Sequence, residues 1–281
     1  MSLNISSEKI GNPLLIDLLK HLNKTFGRLD SDFFVIGATA RDIILQALAD
    51  TASRRKTRDL DIAIAVTGWD KYDEIKQALI EDGFEKSANQ SQRFYFDEYE
   101  IDVVPYGAVA KDDDNIYWPP EETIAMSVKG FDEVLREAIT VTIDNALDIK
   151  IASLHGLFIL KLNAWLDRNL TTNKDAEDMW YIIDNYYTAN ENRDIHPEVY
   201  EIDDFDLTKA GAYWMSHDIA DLLTKEQLRY YYGILDKELQ LTDESRLVTQ
   251  MIETNGAIKL SEVIGVLTTM VNALKTRLHD N

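Results

Sequence analysis

The hydrophobic pattern of the chain changes period at Ser153, and that switch limits the architecture more than any other feature. Before it, short alternating or apolar runs are separated by turn residues, as strands require; after it, apolar residues recur at helical spacing. Residues 32–37, DFFVIG, read as a short buried strand closed by Gly37, and ATARDIILQALA at 38–49 as a helix carrying Ile43, Ile44, Ala47 and Leu48 at helical spacing. DLDIAIAV at 59–66 alternates and then turns apolar, as a strand with one end open to solvent does. DKYDEIKQALIEDG at 70–83 puts Tyr72, Ile75, Leu79 and Ile80 on one helical face and stops at Gly83, a residue suited to a helix C-terminus. RFYFDEYEIDVVPYG at 93–107 reads as two strands around a turn near Asp97 and Glu98, the second ended by Pro105. Further strands are expected at 138–143 and 147–151. Past Ser153, itself an N-cap candidate, Leu154, Leu157, Phe158, Lys161, Trp165 and Arg168 repeat at helical spacing, and 174–187 forms a second helix. The acidic, proline-containing stretch 190–206 reads as a linker or long connection, with helices at 207–222, 224–238 and 258–278. Two domains are expected, 1–150 with mixed strands and helices and 151–281 all helical.

At 45% hydrophobic and 28% charged, the 281 residues fit a globular protein, which excludes disordered, collagen-like and coiled-coil chains. The chain has no cysteine, so disulfide scaffolds, thiolate zinc sites and cysteine nucleophiles are excluded, and a reducing, cytoplasmic setting is expected. MSLNISSEKIGNPLL has no basic segment followed by an apolar core, and no apolar run approaches the ~20 residues that cross a bilayer. Neither secretion nor a membrane partner is expected. The formal charge is 29 − 50 = −21, but residues 1–66 carry nine Lys and Arg against eight Asp and Glu, so the remainder holds −22. The basic cluster Arg54, Arg55, Lys56 and Arg58 runs directly into DLDIAI.

Asp59 and Asp61 stand at i and i+2 of a strand and so project from one face. Adjacent carboxylates repel unless water or a cation screens them, and a hard divalent cation such as Mg²⁺ is the natural partner; a solvated strand end is the plainer alternative. Asp102, bracketed by Ile101 and Val103, is a third acid, and a salt bridge to Arg93 or Lys111 explains it equally well. Glu100 shares its face and is the weaker candidate. Gly37, Ala38 and Thr39 close a strand and open a helix, where unsatisfied N–H groups and the helix dipole receive phosphate; Thr39 offers a hydroxyl and Arg41 a guanidinium. An ordinary strand-to-helix turn with Arg41 and Asp42 as surface charges is the alternative. Lys161 lies on an apolar helical face, where it needs an anion: a triphosphate, or Asp175 or Asp178. Arg168, Lys174 and Asp175 read as interhelical ion pairs that orient it. Neither GxGxxG nor a Walker A sequence occurs, and His21, His155, His196, His217 and His279 show no metal-ligand spacing. Trp69, Trp118, Trp165, Trp180 and Trp214 are dispersed and read first as core, with Trp118, in the string WPP, also a candidate cleft wall.

An ordered series of strings now carries a resemblance: IGATARDI (36–43), TRDLDIAI (57–64), EIDVVPYG (100–107), IYWPP (116–120), MSVKGF (126–131), LHGLFILKLNAWLDR (154–168) and KDAEDM (174–179). Together they resemble the DNA polymerase β-like nucleotidyltransferase superfamily, and within it the AbiEii/AbiGii toxin-like nucleotidyltransferases. The resemblance covers about 33–187; nothing after 200 takes part. It implies an α+β fold, with a mixed sheet and flanking helices followed by a helical domain that contributes Lys161 to the active site. It also implies two Mg²⁺ ions held by Asp59, Asp61 and Asp102, and an NTP donor whose triphosphate meets Gly37, Ala38 and Thr39. Lys161 and Arg41 would neutralise the developing charge. The acceptor hydroxyl would belong to RNA, a tRNA end or a protein, in a toxin or phage-defence role with an antitoxin protein as candidate partner. Many members carry Gly-Ser or Gly-Gly where this chain has Gly37-Ala38, so the hydroxyl would have to come from Thr39. ATARD also looks like the opening of CCA-adding enzymes, but no base-selecting string follows. Two competing readings remain: an aminoglycoside-like transferase whose cationic acceptor suits the acidic remainder, and a non-catalytic nucleotide- or partner-binding module.

Overall fold

Eight short strands of the first half hydrogen-bond into one mixed sheet. The computed structural model describes residues 2–51, 58–122, 125–193, 196–202, 204–253 and 256–279. The chain divides into two compact units, Met1–Ser153 and Leu154–Asn281. Arg54, Arg55 and Lys56 of the basic cluster lie outside the described residues; Arg58 is described, and its guanidinium pairs with Glu98.

The first unit opens with strand β1 (Ser2–Ile5), the one-turn helix α1 (Ser7–Ile10) and helix α2 (Pro13–Arg28). Asn12 caps α2 by accepting from the Leu15 N–H, and Pro13 fills a first-turn position where a missing N–H costs nothing. The buried stripe Leu15, Leu18, Leu19, Leu22 and Phe26 faces the core. Strand β2 (Phe34–Ile36) runs into helix α3 (Gly37–Ala49), then strand β3 (Asp59–Val66), helix α4 (Trp69–Glu81), and strands β4 (Glu85–Lys86), β5 (Arg93–Phe96) and β6 (Tyr99–Gly107). A separate hairpin, β7 (Asn115–Tyr117) with β8 (Ala125–Ser127), precedes helix α5 (Phe131–Arg136) and strands β9 (Ile139–Ile143) and β10 (Leu147–Ile151). The sheet order is β1-β9-β10-β2-β3-β6-β5-β4, with β1/β9, β10/β2 and β3/β6 parallel and the other pairs antiparallel.

Pro105 does not end β6, which continues to Gly107. Along a strand the N–H groups alternate sides. The Val103 N–H donates to the Gln92 carbonyl, so the position of Pro105, two residues on, faces the same side beyond the end of β5, where no ladder bond is lost.

The second unit consists of helices α6 (Leu154–Arg168), α7 (Lys174–Asn190), α8 (Leu207–Leu222), α9 (Lys225–Leu241), α10 (Arg246–Glu253) and α11 (Leu260–His279), with a 3₁₀ turn at Pro197–Glu201. The stretch at 190–206 thus contains ordered structure as well as connection. Helix α9 begins with a reciprocal capping box between Thr224 and Gln227. Helices α7 and α8 meet at Gly211, where an added Cβ would stand 2.9 Å from both the Ile183 carbonyl oxygen and the Tyr187 nitrogen. Trp214 lies fully buried one turn on, stacked on Tyr187. Among the described residues no helix is long and apolar enough to cross a membrane.

Candidate active site

The parallel register of β3 and β6 puts Asp61 beside Asp102 and Asp59 beside Glu100. Neighbouring strands are about 4.8 Å apart, so four carboxylates share a small patch of one sheet face. The opposite face takes Leu60, Ile62, Ile101 and Val103, all buried. That alternation explains why the acids remain partly or fully exposed: the strands are amphipathic, with the hydrophobic set turned inward.

Next along the sheet, Arg93 of β5 is registered with Asp102. Its Nε and Nη2 each donate to one Asp102 oxygen at 2.8 Å, and its Nη1 donates to Glu100 at 2.6 Å. The salt bridge weighed for Asp102 is therefore present, to Arg93; Lys111 pairs instead with Glu122. The bonds to Asp102 hold the Arg93 guanidinium above its ordinary pKa. Tyr72, buried on α4, donates its hydroxyl to the Val103 carbonyl at 2.9 Å. Burial, reinforced by the negative charge of Asp102, raises its phenol well above the usual range. Trp118 is buried against Trp69 and Tyr72, with ring centroids 5.7 and 5.9 Å away.

On the other flank, Ile36 of β2 is registered with Asp61, so α3 begins against that carboxylate. Gly37 has φ +71°, and a Cβ there would overlap the Asp61 carboxylate, with its Cγ only 3.0 Å away. Glycine is required twice over, for the left-handed backbone and for the space. Ile36 supplies no side-chain cap to α3, so the turn after β2 presents helix N–H groups next to the acid row. Thr39 is buried, and its hydroxyl donates to the Asp59 carbonyl at 3.0 Å. A hydroxyl has one proton, and here it ties α3 to the start of β3. Arg41 is not a surface charge: it is 7% exposed, with Nε 2.8 Å and Nη2 2.7 Å from Asp42 Oδ1.

Lys161, in the second unit, is mostly buried, with Nζ 2.7 Å from Asp178 and 3.4 Å from Asp175. Arg168 donates to both oxygens of Asp175, at 2.7 and 2.8 Å. Burial alone would push the Asp175 carboxyl up; the bonds from Arg168 and the charge of Lys161 outweigh it and hold the group below its usual value. The anion expected for Lys161 is thus supplied by the next helix.

As a donor set, Asp59, Asp61 and Asp102 suit a hard divalent cation, being all carboxylate oxygen. Strand register aligns them, but Asp102 turns both oxygens to Arg93. Among the described residues, one trio of His, Asp or Glu donors has ligating atoms that all lie within 4.8 Å of one another, and it is elsewhere: His196, Glu198 and His217. Sequence spacing gave no sign of that trio, because the 3₁₀ turn and α8 bring together residues 21 positions apart (217 − 196).

The mixed eight-stranded sheet with flanking helices, followed by C-terminal helices, is the α+β architecture expected of a nucleotidyltransferase. The family model for the nucleotidyl transferase AbiEii toxin of type IV toxin–antitoxin systems matches residues 24–247, more than half of the chain, and the protein belongs to that family. It is a nucleotidyltransferase, an enzyme class that generally works with a divalent metal. No curated protein sequence matches the chain.

Proposed function

We propose that the protein moves a nucleoside monophosphate from an NTP to an acceptor hydroxyl on RNA, such as a tRNA end, or on a protein, as the toxin partner of an antitoxin. The observation that carries the reading is the acid row of Asp59, Asp61 and Asp102 in register beside Gly37. Asp59, Asp61 and Asp102 would hold two Mg²⁺ ions, which when bound activate the acceptor oxygen and stabilise the departing pyrophosphate.

The chain's own residues do the rest. Gly37, Ala38 and Thr39 offer the opening N–H groups of α3 to the triphosphate, and the absence of a side chain at Gly37 leaves room for the Asp61 carboxylate beside them. Asp102 takes the proton of the attacking hydroxyl when Arg93 releases it, and Glu100 remains to hold the guanidinium. Lys161 is held by Asp178 and Asp175 within the second unit. The acidic remainder of the chain, −22 outside residues 1–66, favours a second reading with a small cationic acceptor.

The test is to supply each radiolabelled NTP with Mg²⁺ and, in separate reactions, tRNA, cell protein and aminoglycosides. One acceptor gains mass as pyrophosphate is released, and Asp61→Ala abolishes both. Unchanged transfer in Asp61→Ala would overturn the metal assignment, while labelling of aminoglycosides alone would select the second reading.

A further inference from the structure

The second unit brings two imidazoles and a carboxylate together. His217 projects from α8 and is 7% exposed, and its Nδ1 is buried with no hydrogen-bond partner. A buried polar nitrogen left unpaired is costly, and a native structure that keeps one generally has a use for it. His196 packs against it, ring centroids 4.0 Å apart. His196 itself has φ +52°, an uncommon conformation for a residue with a side chain, and it opens the 3₁₀ turn that carries Glu198. Its Nδ1 lies 3.4 Å from Glu198 Oε1.

We propose that His196, Glu198 and His217 form a binding site for a divalent transition-metal cation of the Zn²⁺ class, with three protein ligands and one open position. Imidazole with carboxylate is a donor set for Zn²⁺ and unsuited to Mg²⁺, which separates this site chemically from the strand acids. Tetrahedral bonds of about 2.0–2.1 Å put neighbouring ligand atoms roughly 3.4 Å apart. The His196–Glu198 separation already meets that spacing, and the trio's 4.8 Å limit leaves side-chain rotation to close the rest. Tyr213 donates its hydroxyl to Glu198 Oε1 at 3.4 Å and packs its ring on His217 at 4.6 Å, a supporting contact to two ligands at once. His217 and Tyr213 also line a cavity of about 410 Å³ with Lys209, Thr268, Thr269 and Asn272, toward which an open coordination position can face. The metal would fasten the 3₁₀ turn to α8.

The site is tested on the full-length, tag-free protein, independently of nucleotidyl transfer. Protein stripped with chelator is given Zn²⁺ in the presence of excess Mg²⁺, dialysed, and assayed for bound metal and thermal midpoint; Co²⁺ loading is followed by visible absorption. The expected result is one Zn²⁺ per chain, a raised midpoint, and Co²⁺ bands of tetrahedral intensity. His196→Ala and Glu198→Gln, at positions more exposed than His217, keep the native circular dichroism and bind at least about tenfold more weakly, as loss of a ligand entails. Asp61→Asn retains the full Zn²⁺ complement. The proposal is overturned if no Zn²⁺ is retained, if both ligand variants bind like the parent, or if Asp61→Asn removes the metal.

Discussion

Replacing Gly37 by alanine tests the contact on which the acid row depends. The backbone at φ +71° costs a residue with a Cβ about 1–2 kcal/mol. The new methyl also overlaps the Asp61 carboxylate, whose Cγ and Cβ lie 3.0 and 3.1 Å from its position. Relief by rotating Asp61 off its rotamer adds roughly 1 kcal/mol. Gly37→Ala is therefore expected to lose about 2–3 kcal/mol in denaturant unfolding. Its transfer activity falls by at least about 10²-fold, since a displaced carboxylate of 1 Å has that effect on a positioned site. A double-mutant cycle separates the two causes. In an Asp61→Ala background the overlap with the carboxylate is gone and only the 3.1 Å approach of the two Cβ atoms remains, so Gly37→Ala costs little beyond the backbone term, giving a coupling of about 1 kcal/mol. A Gly37→Ala protein with parental stability and activity, or a cycle with no coupling, would refute the argument.

Arg93→Ala should unfold about 1 kcal/mol more easily in chelator, because two partly exposed ion pairs are lost. It should also reach half-maximal transfer at about fivefold lower Mg²⁺, because the guanidinium no longer competes for Asp102; an unchanged Mg²⁺ dependence would remove Arg93 from the proposed cycle. For acid sensitivity, the folded pKa of Asp175 lies below its unfolded value, so its contribution is complete above about pH 4 and drains away as pH falls through the lower folded value. Asp218, held down by Arg193 against the upward push of burial, behaves alike. A thermal-midpoint series from pH 6 to pH 2, run at fixed salt, should therefore fall less steeply for Asp175→Asn than for the parent, and parallel curves would contradict this.

The strands and helices that carry strong periodicity were legible in the sequence: DLDIAIAV alternates at the start of β3, where one face is open, and turns apolar where both faces are buried, while α6 shows apolar residues at helical spacing within a helix buried nearly all round. The N-terminal elements β1 and α2 went unread, and α10, only two turns long, gave too few repeats to stand out. The acid pair on one strand was legible from the two-residue period alone. Its alignment with Asp102, and the arginine that answers it, depend on which strands become neighbours, and periodicity does not record that. Arg41 and Thr39 show a different limit. Their residue types suit phosphate, yet both are committed inside the unit, to Asp42 and to the Asp59 carbonyl. Lys161 is mostly buried, and of the anions that could answer it the structure supplies Asp178 and Asp175.

The register between β3 and β6 has a consequence for when the enzyme can become active. Asp61 and Asp102 are 41 positions apart, and α4 with strands β4 and β5 lies between them, so their pairing is a non-local event with a large loop to close. A chain emerging from the ribosome carries Asp59 and Asp61 early, but it lacks the neighbouring acid strand until β6 has been synthesised and docked in parallel. Chains terminated before Glu100 have half of the acid row and no partner strand on that side. On the proposed function, the order of synthesis thus postpones nucleotidyl transfer until the sheet is assembled.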